Sequence, residues 1–205
     1  MLAWSKERNG DSNMPYIMKA GPHDFDEDWR ENPTWFESYA HGQPGVIPEH
    51  DKSIVVYVRQ TPLFPEVPPP GWGTTRTLML NHAVKKLIES LEPNLHDFVP
   101  VELRYVESRA YSREDFSCFV SFPYFHARVD RILRAVDQIK SDIKIFRPGE
   151  WMKKMDRPLI LKRSAISGLH LWRENTHLFC SDELREQLAA LRMDSGWTFV
   201  QQEEA

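Results

Sequence analysis

Short runs of β-branched and aromatic residues, several of them alternating with polar residues, recur along the chain. Such runs are typical of strands that bury at least one face of a sheet. They predict a sheet of six or more strands. The predicted strands are Tyr16–Met18, Ser53–Arg59, Phe98–Val106, Phe116–Phe125, Leu159–Lys162 and Leu169–Arg173.

A strand, a capping residue and an apolar set with helical spacing occur twice, at an offset of 100 residues. Asn81 and Ser181 each follow a short apolar run and precede such a set. Their side-chain oxygens can accept from an unpaired amide of the first turn, so both are predicted N-caps. The helices are predicted to end at Pro93 and Gly196. The strands predicted to follow are Phe98–Val101 and Trp197–Val200. Duplication and coincidence both remain open, because few aligned positions are identical.

A third helix is predicted at Val129–Ile139, where Ile132, Leu133 and Val136 complete a helical spacing of apolar residues. Together these elements predict an α+β fold in which short helices pack on a mixed β-sheet.

Composition limits the kind of protein. Of 205 residues, 41% are hydrophobic and 12% aromatic, which is enough for a packed core. The net charge of −4 provides no basic field for nucleic acid. No apolar run approaches the roughly 20 residues that span a bilayer, and the N-terminus does not have the features of a secretory signal. We therefore expect a cytoplasmic protein that binds neither nucleic acid nor membranes, and whose two cysteines are reduced.

The negative charge is concentrated at the front of the chain. Residues 1–50 contain 9 acidic and 4 basic residues, whereas residues 51–205 contain 21 and 22. Aromatic residues are interleaved with the acids of residues 23–42, which indicates either a packed wrapping segment or an acidic binding face. Five prolines in Thr61–Gly73 exclude a helix or a central strand there and indicate a connector. We expect residues 1–76 to pack on an α+β domain formed by residues 77–205, as one structural unit.

Motifs for catalysis or cofactor binding are missing from the sequence. It has no glycine-rich phosphate loop and no serine-nucleophile elbow. His170, His177 and Cys180 supply ligand types that zinc accepts, but histidines on a strand and a small buried cysteine explain them better. The acidic cluster of Asp24, Asp26, Glu27 and Asp28 does not have the spacing of a calcium-binding loop. We therefore predict no catalytic residue, metal or cofactor.

Several segments of the C-terminal half have the order and spacing of one family's motifs. An aromatic-Arg pair at Trp172-Arg173 is followed by an apolar-apolar-x-Ser helix start at residues 178–181 and a Gly-x-x-Phe at residues 196–199. Upstream, the Val136-Asp137 pair is followed by a serine. This pattern resembles bacterial immunity proteins of polymorphic toxin systems, a family formerly catalogued as a domain of unknown function. The resemblance covers about residues 77–201 and leaves residues 1–76 outside it.

The resemblance implies a protein that is not an enzyme and that binds and neutralises a cognate toxin. The acidic aromatic segment would complement a basic cleft of such a toxin. Its predicted toxin-binding residues are Asp24, Asp26, Glu27, Asp28 and Glu31, with Trp29 and Trp35 as anchors. Two alternatives stay open: a small enzyme that uses the acidic cluster with His23 or His41, and an adaptor that recruits partners through Thr61–Gly73.

Overall fold

A computed structural model describes ten segments of the chain, and expectations that concern other residues lie outside them. The described residues are 14–20, 27–28, 54–59, 67–73, 78–106, 119–129, 135–147, 150–153, 158–175 and 177–205.

Strands and short helices of these segments confirm the α+β prediction. The helices are α1 (His82–Leu91), α2 (Arg163–Ile166) and α3 (Asp182–Ala190). The strands of the first half are β1 (Pro15–Ala20), β2 (Glu27–Asp28), β3 (Ile54–Arg59), β4 (Gly71–Trp72), β5 (Met79–Leu80), β6 (Asp97–Val106) and β7 (Phe119–Arg128). The strands of the second half are β8 (Ile143–Arg147), β9 (Glu150–Lys153), β10 (Ile160–Leu161), β11 (Leu171–Glu174), β12 (His177–Ser181), β13 (Trp197–Gln201) and β14 (Glu203–Glu204).

The described strands form two main sheets. A six-stranded sheet has the order β2-β3-β6-β7-β5-β4, and a four-stranded sheet has the order β11-β12-β1-β13. The larger sheet is mixed, because β3 and β6 run parallel while its other pairs are antiparallel. Two smaller pairs, β8-β9 and β10-β14, complete the described sheet structure.

The predicted repeat corresponds to two split β-α-β units. In the first, α1 connects β5 to β6, and both strands lie antiparallel to β7, which runs between them. In the second, α3 connects β12 to β13, and both lie antiparallel to β1 between them. In each unit the middle strand comes from another part of the chain, β7 in the first unit and β1 in the second. The two units therefore have the same local topology.

Both predicted N-caps are confirmed. The Val84 amide donates to Asn81 Oδ1 at 2.9 Å, and the Leu184 amide donates to Ser181 Oγ at 3.1 Å. The α3 helix ends at Ala190, before the predicted Gly196, because Arg192 takes a left-handed conformation with φ of 56°. The Met193 amide then donates to the Leu188 carbonyl at 2.8 Å, which closes a Schellman-type end without a glycine.

One apolar cluster joins both units. Its buried side chains come from both helices and from both main sheets, for example Leu80, Val84, Leu178 and Leu184. A second cluster covers the other face of the four-stranded sheet, where the Trp172 and Phe179 rings stack with centroids 5.6 Å apart. Strand β1 is therefore buried on both faces, which explains its nearly continuous apolar sequence.

The prediction of a helix at Val129–Ile139 is wrong. In the part of this stretch that the structure describes, no residue is helical. Val129 follows β7 and packs in the first cluster, whereas Val136 forms a β-bridge with Leu161 in the second. The Asp137 side chain accepts from the amides of Ile139 and Lys140, each at 3.1 Å, and fixes a turn there. The helical spacing therefore arises from residues of different elements, and residues 130–134 lie outside the described part.

The two main sheets touch where β4 meets the start of β13. A Cβ atom on Gly196 would lie 1.7 Å from the Gly71 carbonyl oxygen, so the close approach requires a glycine. Next to it, the Trp197 indole donates to the Gly73 carbonyl at 3.1 Å. Residues on both sides of the predicted boundary at 76 thus contribute to one contact, and among the described strands β1 pairs with β12 and β13, both from beyond it.

Removal of either cap should destabilise the fold measurably. Ser181→Ala and Asn81→Ala should each lower the free energy of unfolding by about 0.5–2 kcal/mol, because an amide of the first helical turn loses its acceptor. Urea unfolding at neutral pH measures the effect. Ser164→Ala, at an exposed position of α2, is the control and should change the value by less than about 0.5 kcal/mol. Equal effects in all three variants would contradict the capping role.

Candidate functional site

The structure describes only two of the predicted toxin-binding residues. Glu27 and Asp28 form β2, which pairs with β3 in the register Glu27 to Val58 and Asp28 to Tyr57. Among the described strands, β2 is the outermost on one side of the six-stranded sheet. The remaining predicted residues lie outside the described segments: Asp24, Asp26, Trp29, Glu31 and Trp35.

His170, His177 and Cys180, the possible zinc ligands, do not come together in one site. Residues 177 and 180 are three apart on β12, so their side chains alternate to opposite faces of the sheet. Cys180 is fully buried in the first apolar cluster, and this burial raises the pKa of its thiol. Within the described segments, no group of three or more His, Cys, Asp or Glu residues is placed to hold a metal ion.

Ser181, His170 and Glu183 lie together but do not form a nucleophilic triad. Ser181 Oγ lies 3.1 Å and Glu183 Oε2 lies 3.9 Å from the same nitrogen of His170, Nδ1. In a catalytic triad the serine and the acid contact opposite ring nitrogens. Ser181 is also completely buried and already accepts from the Leu184 amide. The cluster therefore stabilises the junction between β12 and α3, as expected for Ser181.

Glu92 is the centre of a buried polar site that joins the end of α1 to the start of β11. Its backbone amide caps the end of α1 on the Ile88 carbonyl. One side-chain oxygen accepts from the His170 amide at 2.7 Å, and the other accepts from the Leu171 amide at 3.0 Å. His96 Nε2 lies 2.8 Å from this second oxygen, and both side chains are almost completely buried.

Sequence reasoning missed Glu92, although a signal was present. An acidic residue at the C-terminal end of a helix is opposed by the helix dipole. Such a local conflict indicates that a tertiary contact determines the residue. The partners of Glu92 lie 78 and 79 residues away in the chain, so they could not be named from local sequence.

An apolar cavity of about 580 Å³ lies beside the contact between the two sheets. We call it the proline pocket. It is lined by residues 67–70, by residues 122–124 of β7, by Asn81 and by Ser195. Residues 67–70 of the connector predicted at Thr61–Gly73 therefore form a wall of this cavity, with Pro68 and Pro69 buried, whereas Gly71 and Trp72 form β4.

Hydrogen bonds hold the proline wall in place. The Tyr124 hydroxyl donates to the Pro69 carbonyl at 2.9 Å, and burial raises the pKa of this phenol. The Asn81 amide donates to the Pro70 carbonyl at 2.7 Å. The Trp72 ring packs edge-on against Tyr124, with centroids 5.0 Å apart. Because proline also fixes its own φ angle, these contacts leave the wall few alternative conformations.

Comparison with protein families places the chain among immunity proteins, with residues 1–204 matched. The chain belongs to the immunity protein family Imm11. The match includes the acidic segment and the connector, so the family relationship extends beyond residues 77–201 to essentially the whole chain. Comparison with curated proteins finds no significant match. In the described segments, no helix is long and apolar enough to cross a membrane.

Replacement of Glu92 tests whether its carboxyl group stabilises the contact between the end of α1 and the start of β11. In Glu92→Gln an amide nitrogen replaces one acceptor oxygen, so a buried backbone amide loses its partner. The free energy of unfolding should fall by about 1–3 kcal/mol, measured by urea denaturation. Glu89→Gln, on the same helix but paired with Lys85 near the surface, should change it by no more than about 0.5 kcal/mol. Similar losses in both variants would count against this role.

Proposed function

We propose that this protein binds a cognate toxin in the cytoplasm and neutralises it by forming a complex, without catalysing a reaction. The observation that carries the proposal is membership of an immunity protein family along residues 1–204. The described geometry supports it: the polar groups that resemble catalytic or metal-binding sets are used in caps and in the core.

The acidic front of the chain is proposed to guide the encounter with the toxin. Glu27 and Asp28 lie on β2, the outermost described strand on one side of the six-stranded sheet. Residues 1–50 contain five more acidic than basic residues. A local negative potential accelerates association with a positively charged partner and suppresses wrong partners.

Co-expression tests the function directly. A neighbouring reading frame that stops growth when expressed alone identifies the toxin, and this toxin should be tolerated when our chain is expressed with it. The purified pair should also elute as one complex in size-exclusion chromatography. Growth arrest despite abundant folded protein, or protection without any complex, would contradict neutralisation by binding.

Neutralisation of the acidic cluster tests the encounter surface. Combined Asp24→Asn, Asp26→Asn, Glu27→Gln and Asp28→Asn should slow association with the toxin by about tenfold at low salt. The difference should shrink as added salt screens the charges. Stopped-flow association rates measure it, with Glu186→Gln plus Glu203→Gln, both at exposed positions, as a control that should leave the rate unchanged. An unchanged rate in the fourfold variant would remove this surface from the proposal.

A further inference from the structure

We propose that the proline pocket is a binding site for an aromatic or large aliphatic side chain of the toxin. This inference rests on the proposed function and adds the place and the chemistry of an anchor contact. The cavity of about 580 Å³ lies within the range of about 300–1,000 Å³ typical of ligand sites.

The lack of charge in the pocket lining favours an apolar side chain as the bound group. Every described residue that lines the pocket is uncharged, and most are proline or aromatic residues. A charged side chain that entered would lose its water without gaining a counter-charge, which is unfavourable. An apolar side chain instead releases water from both surfaces. The exposed Ser195 leaves one hydroxyl at the rim for a polar contact.

The surface around the pocket points to a protein as the occupant. Val67 on the rim is 67% exposed. Val120, two residues from Phe122 on the same face of β7, is 61% exposed. A small molecule that filled the cavity would leave these side chains in water, whereas a protein surface around an inserted side chain would cover them. Val67 belongs to the apolar lining and Val120 adjoins it on β7, and a contiguous apolar surface of this kind is typical of interaction sites.

The rigidity of the wall favours tight binding. Tyr124 and Asn81 hold the carbonyl groups of Pro69 and Pro70, so little ordering remains for complex formation. Pre-organisation of this kind lowers the entropic cost of association. Interface energy is concentrated in a few such anchors, which enter well-packed recesses near the centre of the contact.

Three variants at exposed positions test the site. Val67→Asp places a charge on the rim and Ser195→Trp fills the mouth of the pocket, whereas Val67→Leu keeps the rim apolar. Titration calorimetry with the neighbouring toxin domain should show at least tenfold weaker binding for the first two and unchanged binding for Val67→Leu. Thermal unfolding midpoints should equal that of the wild type, because all three changes lie at exposed positions.

Ile139→Asp is the matched control, because Ile139 is 93% exposed and does not line the pocket. It should bind the toxin like the wild type. Wild-type affinity in Val67→Asp and Ser195→Trp would overturn the pocket assignment while leaving the proposed function intact. Equal weakening in Ile139→Asp would also overturn it, since any added charge would then suffice. Failure of the wild-type protein itself to bind the toxin would instead refute the proposed function.

The oligomeric state of the protein shows whether a second copy of this chain, rather than the toxin, fills the pocket. The wild-type protein should be monomeric in analytical ultracentrifugation. A wild-type dimer that Val67→Asp converts to a monomer would show that a second copy fills the pocket, and would overturn the assignment to the toxin.

Discussion

The buried carboxyl group of Glu92 connects the two halves of the molecule. It stands at the end of α1, in the first split β-α-β unit, and accepts from two successive amides at the start of β11, beside the second. These amides are buried or half-buried and would lack an acceptor without it. The unsatisfied donors would cost more than an ordinary hydrogen bond contributes, so this contact disfavours arrangements in which α1 moves away from the start of β11.

The apolar packing between the units agrees with that arrangement. With α1 fixed against β11, its apolar face meets α3 in the first cluster, where Val84, Leu188 and Met18 are all buried. The sheets then approach so closely at Gly71 and Gly196 that neither position has room for a Cβ atom. The proline pocket lies beside this contact, since Ser195 immediately precedes Gly196 and residues 67–70 immediately precede Gly71.

Local patterns in the sequence predict many of the helices, strands and caps. They do not predict contacts between residues that are far apart in the chain. Asn81 and Ser181 could be read as caps because their partners lie three residues away. The predicted strands were found because alternation is also local. The spacing of Val129 and Val136 was misleading, since the two residues belong to different apolar clusters. The proline pocket could not be predicted, because its wall depends on Tyr124, which is 55 residues from Pro69.

The six-stranded sheet relates the two proposed contacts with the toxin. The acidic strand β2 lies at one edge, and β7, which lines the proline pocket, lies three strands further in. Neighbouring strands are about 4.8 Å apart, so β2 and β7 are separated by about 14 Å. An interface that buries about 800 Å² per partner extends further than this, so one toxin surface can contact both places. Charges act over longer distances than apolar contacts, so the acidic edge is suited to guide the approach and the pocket to slow dissociation once the anchor is inserted.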